Sequence, residues 1–237
     1  MSPKRFYDIV PPNVDPSGLS GQLLVIEGAD GSGRSTQISL LTQWLERKGY
    51  PVVNVGLKRS TLISKQLISA QESKAIGPIT LNLFYATDFV DQLENVIIPA
   101  LRAGFVVLSD RYIYTLMARA IVRGVDPEWV RSMYSLAIVP DAVFYLKVNP
   151  QLLIERNFQK KATLDYWESG MDIGYSQDMF QSFFTYQKKI QKQFLLMKEE
   201  YSFQVINGNR SVRAITKDLQ ARIETLLPCN GKRKQVR

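Results

Sequence analysis

Apolar residues along this chain fall into two alternating kinds of run. The short ones are "QLLVIE" (22–27), "PVVNVG" (51–56), "FVVLSD" (105–110), "DAVFYLKV" (141–148) and "SFQVIN" (202–207). They have strand length, and runs such as "FVVLSD" lack the in–out alternation of a half-exposed sheet, as expected for strands covered on both faces. Between them the apolar positions take helical spacing. "STQISLLTQWLERKGY" (35–50) turns Ile38, Leu41 and Leu45 to one side and closes on Lys48 and Gly49. Helices are also predicted over "STLISKQLISA" (60–70), 79–102, "PEWVRSMYSLAI" (127–138), "PQLLIERNFQK" (150–160) and "SVRAITKDLQARIETLL" (211–227). Pro99 should bend or interrupt the 79–102 helix near its end. A further amphipathic helix is predicted over 180–201, with Phe180, Phe184, Ile190 and Phe194 toward the core.

Strands separated by helices imply right-handed crossovers and a parallel sheet, hence a three-layer α/β domain with ligands at the C-terminal ends of the strands. The Pro-, Ser- and Gly-rich start, 1–20, reads as a flexible extension outside the fold. The folded domain spans 21–227, and the basic stretch 228–237 reads as a disordered tail.

Composition narrows the chemistry. The 237 residues are 45% hydrophobic, which suits one compact domain, and the formal charge of +8 suits polyanionic ligands. The tail "GKRKQVR" supplies four of the basic residues. Aromatic and basic residues do not interleave as in single-strand binders, so nucleic acid is not an expected partner. The chain has no histidine, which removes histidine triads and histidine metal sites and leaves acid–base work to carboxylates. The single cysteine, Cys229, cannot form an internal disulfide, so a reducing cytoplasm is expected. No apolar run reaches membrane-spanning length and no signal-peptide core precedes the body, so no membrane association is expected.

"LLVIEGADGSGRST" (23–36) carries the strongest chemical signal. It fits G-x-x-x-x-G-K-[ST] over Gly28, Ala29, Asp30, Gly31, Ser32, Gly33, Arg34 and Ser35, with arginine in the lysine place. Between a strand and a helix, such glycines let main-chain amides wrap phosphate oxygens, and the helix points its positive end at the same anion. Ser35, or Thr36 beside it, offers a hydroxyl where Mg²⁺ is held. Arg34 keeps the charge but is planar and forked where lysine is compact. Triphosphate binding survives that change; catalysis is left open by it. Asp110 and Arg111, just past the third strand, add a carboxylate to hold Mg²⁺ through water or orient an acceptor oxygen, and a fork for phosphate. Glu27, beside the loop, is equally compatible with support of that site and with a structural role.

With "VIEGADGSGRSTQ", "KRSTLISKQL", "IIPALRAGFVVLSDRY" and "PDAVFYLKVNPQLLIER" in hand, the chain resembles the thymidylate kinases, nucleoside monophosphate kinases of the phosphate-loop (P-loop) NTPase fold, over roughly residues 21 to 227. The resemblance implies a five-stranded parallel sheet flanked by helices, transfer of the ATP γ-phosphoryl group to thymidine monophosphate (dTMP) with Mg²⁺, a lid near 158–175, and a homodimer. It implies that 28–36 cradle the donor phosphates, with Arg156 against the adenine and Ser35 and Asp110 toward the metal. Arg34, Asp110 and Arg111 are then the catalytic candidates. Arg59, Phe89, Arg111, Thr115 and Arg119 line the acceptor.

The chain also departs from that pattern. Phe89 stands where the family has an arginine that helps read thymine, Ala120 lies among the base-contacting positions, Lys147 stands for Asp at the end of the fourth strand, and Tyr166 in "DYWE" for a lid arginine, with Lys160 and Lys161 just upstream. Arg119 hints at a more anionic acceptor. Two alternatives to a dTMP kinase follow: a kinase of another phosphorylated acceptor, or a catalytically degenerate nucleotide-binding regulator.

Overall fold

The computed structural model describes residues 3–74, 76–161 and 164–227. Five strands, β1 (Gln22–Gly28), β2 (Val52–Gly56), β3 (Val106–Asp110), β4 (Ala142–Lys147) and β5 (Gln204–Asn207), form one sheet in the order β2-β3-β1-β4-β5, all parallel. The order reverses around β1, so the C-terminal ends of β1 and β3 open onto the crevice where such sheets bind ligands.

β1 explains the layering. Its residues are all buried, yet Leu23 and Val25 join one core while Leu24 and Ile26 join the other. The second core is covered by α1 (Arg34–Arg47), through Ile38, Leu41 and Leu45, and by α9 (Val212–Glu224), through Ile215, Leu219 and Ile223. The larger first core is covered mainly by α3 (Pro78–Gln92), α4 (Ile98–Arg102), α5 (Ile113–Val122), α6 (Pro127–Met133) and α8 (Met179–Glu200). The short α2 (Ser64–Glu72) follows β2, and α7 (Pro150–Lys161) follows β4.

Four local outcomes differ from the sequence pattern or refine it. The 79–102 helix is broken by a π-helical turn, Leu93–Ile97, and Pro99 falls in the first turn of α4, which begins at Ile98. α5 has no counterpart among the predicted helices: its short run "IYTLMARAIV" follows β3 directly, has no capping side chain of its own to mark its start, and has seven of its ten residues buried. In α8 the inward stripe is Phe183, Tyr186, Ile190, Phe194 and Met197. Phe180 is exposed and Phe184 lies under the Lys188 ammonium, so the predicted inward register holds only from Ile190 onward.

The start of the chain, expected to lie outside the fold, is laid against it. Tyr7 N donates to Ala137 O (3.0 Å), Asp8 N to Ser135 O (2.8 Å), and Val139 N to Arg5 O (2.8 Å). Lys4 pairs with Asp141, and the Tyr7 and Tyr114 hydroxyls meet at 2.5 Å. Backbone pairing with the segment before β4 outweighs the loop-like composition. The tail 228–237, with Cys229, lies outside the described residues, as do the side chains of Lys160 and Lys161.

Candidate active site

The glycine-rich loop leaves β1 and enters α1 at Gly33, whose φ of 95° suits a residue without a Cβ. A Cβ there would meet nothing within 4 Å, so the loop is open on that side. No side chain caps α1, which leaves its first amides facing a cavity of about 180 Å³ lined by Ala29 to Thr36, Arg156 and Asn157. Ser35 and Thr36 are exposed. Arg156 reaches toward Gly208 O (3.3 Å) and Gly31 O (3.5 Å), which places its guanidinium beside the loop. Asn157 Nδ2 donates to Asp30 O (3.1 Å), tying α7 to the same turn.

Arg34 does not extend away from the loop. Nε donates to Asp110 Oδ1 at 2.8 Å, Nη1 to Gly28 O and to Ala29 O, and Nη2 approaches Asp30 Oδ1 at 3.3 Å. The planar fork thus joins the loop backbone, the loop carboxylate and the end of β3. β2 and β3 close tightly there: a Cβ on Gly56 would lie 2.6 Å from Asp110 O.

Arg111 sits at φ 71°, a sparsely populated region for a residue with a side chain. That turn directs its buried guanidinium to Asp30 Oδ1 (2.5 Å) and toward Glu168 Oε1 (3.5 Å). Its Nε has no partner among the described residues. Burial works to raise the Asp30 pKa, but the guanidinium groups of Arg111 and then Arg34 outweigh it and hold the carboxyl below its usual range. Burial works to lower the Arg111 pKa, and Asp30, Asp110 and Glu27 together raise it.

Glu27 supports the start of α5. Fully buried, its carboxylate accepts from Tyr112 N (2.9 Å), Thr115 N (3.3 Å) and the Thr115 hydroxyl, so β1 caps the first turn of α5. Burial pushes its pKa up, against the hydrogen bonds from Thr115 and Tyr112.

The other predicted residues divide. Arg119 lies near Arg111, paired with Glu168 between α7 and α8, so its charge is already matched. Arg59 is exposed on the β2–α2 loop, whose amides Lys58 N and Ser60 N donate to the Asp88 carboxylate (2.8 and 2.9 Å). Phe89 and Thr115, expected at the acceptor, are turned elsewhere. Phe89 packs edge-on against Tyr112 and Tyr134 in the core, as an apolar ring at a buried helix position will. Thr115 spends its hydroxyl on Glu27. Lys147 is exposed at the end of β4, and Tyr166 lies under the Lys74 ammonium.

Residues without an individual role in the sequence pattern also enter. Asp30 is the shared partner of both arginines, Glu168 joins Arg111 to Arg119, and Arg123 holds the 164–178 segment through Asp172 and Trp167 O while also bonding Tyr186 of α8. The carboxylate in "DYWE" was visible in the sequence; its partners, some fifty residues away, were not.

Among the described residues no group of three or more acidic, Cys or His side chains could hold a metal by itself. The donor set present, the Ser35 hydroxyl and the Asp110 carboxylate, fits a magnesium ion that shares its ligands with phosphate oxygens. No helix among the described residues is long and apolar enough to cross a membrane.

Comparison with known proteins places the sequence in one family. A family model described as thymidylate kinase matches residues 26–219. A probable thymidylate kinase 2 of Saccharolobus solfataricus is 37% identical over 203 residues, covering 85% of this chain and 95% of that protein. A probable thymidylate kinase of Thermococcus kodakarensis is 30% identical over 214 residues, 86% of this chain and 98% of that protein. A thymidylate kinase of Caldicellulosiruptor saccharolyticus is 36% identical over 145 residues, 58% and 70% of the two chains.

Proposed function

The chain belongs to the thymidylate kinase family, and on that premise we propose that it transfers the γ-phosphoryl group of ATP to dTMP, giving dTDP, with Mg²⁺. The observation that carries this reading is the convergence of the loop, Asp30, Arg34, Asp110 and Arg111 at the C-terminal ends of β1 and β3.

In this reading the amides of 28–36 and the N-terminus of α1 bind the donor phosphates, and Arg156 flanks the donor base. Ser35 and Asp110 would hold magnesium, which when bound screens the phosphate oxygens. Arg34 fixes Asp110 in place and puts positive charge beneath the loop. Arg111, with Nε in reserve, and Arg59 grip the acceptor phosphate. Catalysis is then mainly positioning and charge stabilisation, with in-line transfer and no covalent enzyme intermediate.

A cytoplasmic homodimer belongs to the same reading. Ile79 and Leu83, one turn apart on α3, expose apolar side chains that a second subunit would cover. The test of function is ADP release with ATP, Mg²⁺ and a panel of nucleoside monophosphates. dTMP should be the best acceptor by kcat/KM; a different best acceptor, or none, overturns the assignment.

A further inference from the structure

We propose that Gln71 reads the acceptor base, its side-chain oxygen accepting the ring N–H on the base's pairing edge. This rests on the acceptor assignment above and names the residue that replaces the missing base reader at Phe89.

α2 turns two residues inward, Leu67 and Gln71, one helical turn apart. The Gln71 side chain is buried, and its Nε2 donates to the Tyr85 hydroxyl at 2.8 Å. With the nitrogen so engaged, Oε1 faces the other way, buried and without a partner among the described residues. A buried amide oxygen left unmet is costly, and folded proteins carry few such atoms.

Gln71 lines a small cavity of about 20 Å³ between α2, α3 and α5, together with Tyr85, Leu116, Arg119 and Trp167. The lining carries what a planar base requires: an aromatic face from Tyr85, apolar walls, one acceptor at Gln71 and one multiple donor at Arg119. Arg119 shares Glu168 with Arg111, so the cavity adjoins the phosphate-gripping cluster. A base is larger than the cavity. Its entry displaces Trp167, whose ring bonds back to α2 through Nε1 to Gln71 O at 3.1 Å.

The pattern selects a keto pyrimidine. Thymine and uracil present N3–H flanked by carbonyls: Gln71 Oε1 takes the proton and the Arg119 fork takes the neighbouring carbonyl oxygen. Cytosine presents a lone pair at N3 and an amino group at the next position, so it meets the acceptor with an acceptor and the donor with a donor. A site whose buried polar groups lose their partners discriminates strongly.

The test is steady-state kinetics of the full-length protein with ATP and Mg²⁺, using dTMP, N3-methyl-dTMP and dCMP as acceptors, for wild type, Gln71→Leu and Gln71→Glu. Melting curves establish that each variant is folded. Wild type should prefer dTMP over N3-methyl-dTMP by roughly 100-fold or more. Gln71→Leu should lose about 10- to 100-fold in kcat/KM for dTMP, bring the dTMP to N3-methyl-dTMP ratio below about fivefold, and keep its KM for ATP. Gln71→Glu retains an acceptor and should keep most of the preference.

A folded Gln71→Leu with an unchanged ratio overturns the inference while leaving the kinase assignment intact. Wild type preferring another nucleotide overturns the dTMP assignment; the Gln71 claim is then decided by whether Gln71→Leu erodes selectivity for that acceptor. No turnover with any nucleoside monophosphate overturns both.

Discussion

Arg34 Nε lies 2.8 Å from Asp110 Oδ1, which ties the cation of the glycine-rich loop to the carboxylate at the end of the adjacent strand. The same guanidinium reaches Gly28 O, Ala29 O and Asp30. One ammonium cannot meet acceptors in all these directions. The loop is therefore built around arginine, and the lysine common to this motif is the wrong shape for it.

Arg34→Lys is accordingly expected to lose activity, not gain it. Buried carbonyls left without donors should lower stability by about 1–3 kcal/mol, and displacement of Asp110 should lower kcat/KM by at least about tenfold. Denaturant melts and steady-state kinetics on the same preparation check both. A rate increase would mean that arginine impairs the loop.

Asp30 gives a pH signature. Its folded pKa lies below the ordinary 3.8, so its contribution to stability is present above that value and lost as pH falls through the folded one. The melting-temperature gap between wild type and Asp30→Asn should be largest above about pH 4 and shrink toward pH 2. A gap constant across that range would contradict the pairing with Arg111 and Arg34.

Glu27→Leu should destabilise the protein by about 2 kcal/mol, because Tyr112 N and Thr115 N lose their buried acceptor. Glu27→Gln keeps the one oxygen that both amides share and should cost less. The check is chemical denaturation of both variants; equal losses would argue against the capping role.

Arg123→Ala should release the 164–178 segment from α5. It removes the partner of Asp172, the donor to Trp167 O and the donor to Tyr186, and costs about 3 kcal/mol. Limited proteolysis should show faster cleavage within 164–178, and the KM for the acceptor should rise more than that for ATP.

How far the sequence spoke for the structure depends on the distance over which each feature is encoded. The five strands and the phosphate loop are local patterns, and all appear where the chain predicts them. Arg34, Asp110 and Arg111 come together because two adjacent strands end there. α5 escaped because its short run follows β3 directly and has no capping side chain of its own to mark where a helix begins. The N-terminal segment escaped because what holds it is backbone pairing with 135–139, and composition is silent about that. Glu168, Arg123 and Gln71 acquire their roles only when the 164–178 segment, α5 and α2 meet, a tertiary fact written in no local pattern. Phe89 could be recognised as a departure from sequence alone; its burial against Tyr112 and Tyr134 could not.

The most direct measurement is transfer of label. Purified protein incubated with Mg²⁺, dTMP and ATP radiolabelled in its γ-phosphoryl group should yield labelled dTDP and ADP in equal amounts, and omission of dTMP should abolish ADP formation. Label appearing only as inorganic phosphate, or remaining in ATP while other nucleoside monophosphates are also refused, would contradict the account.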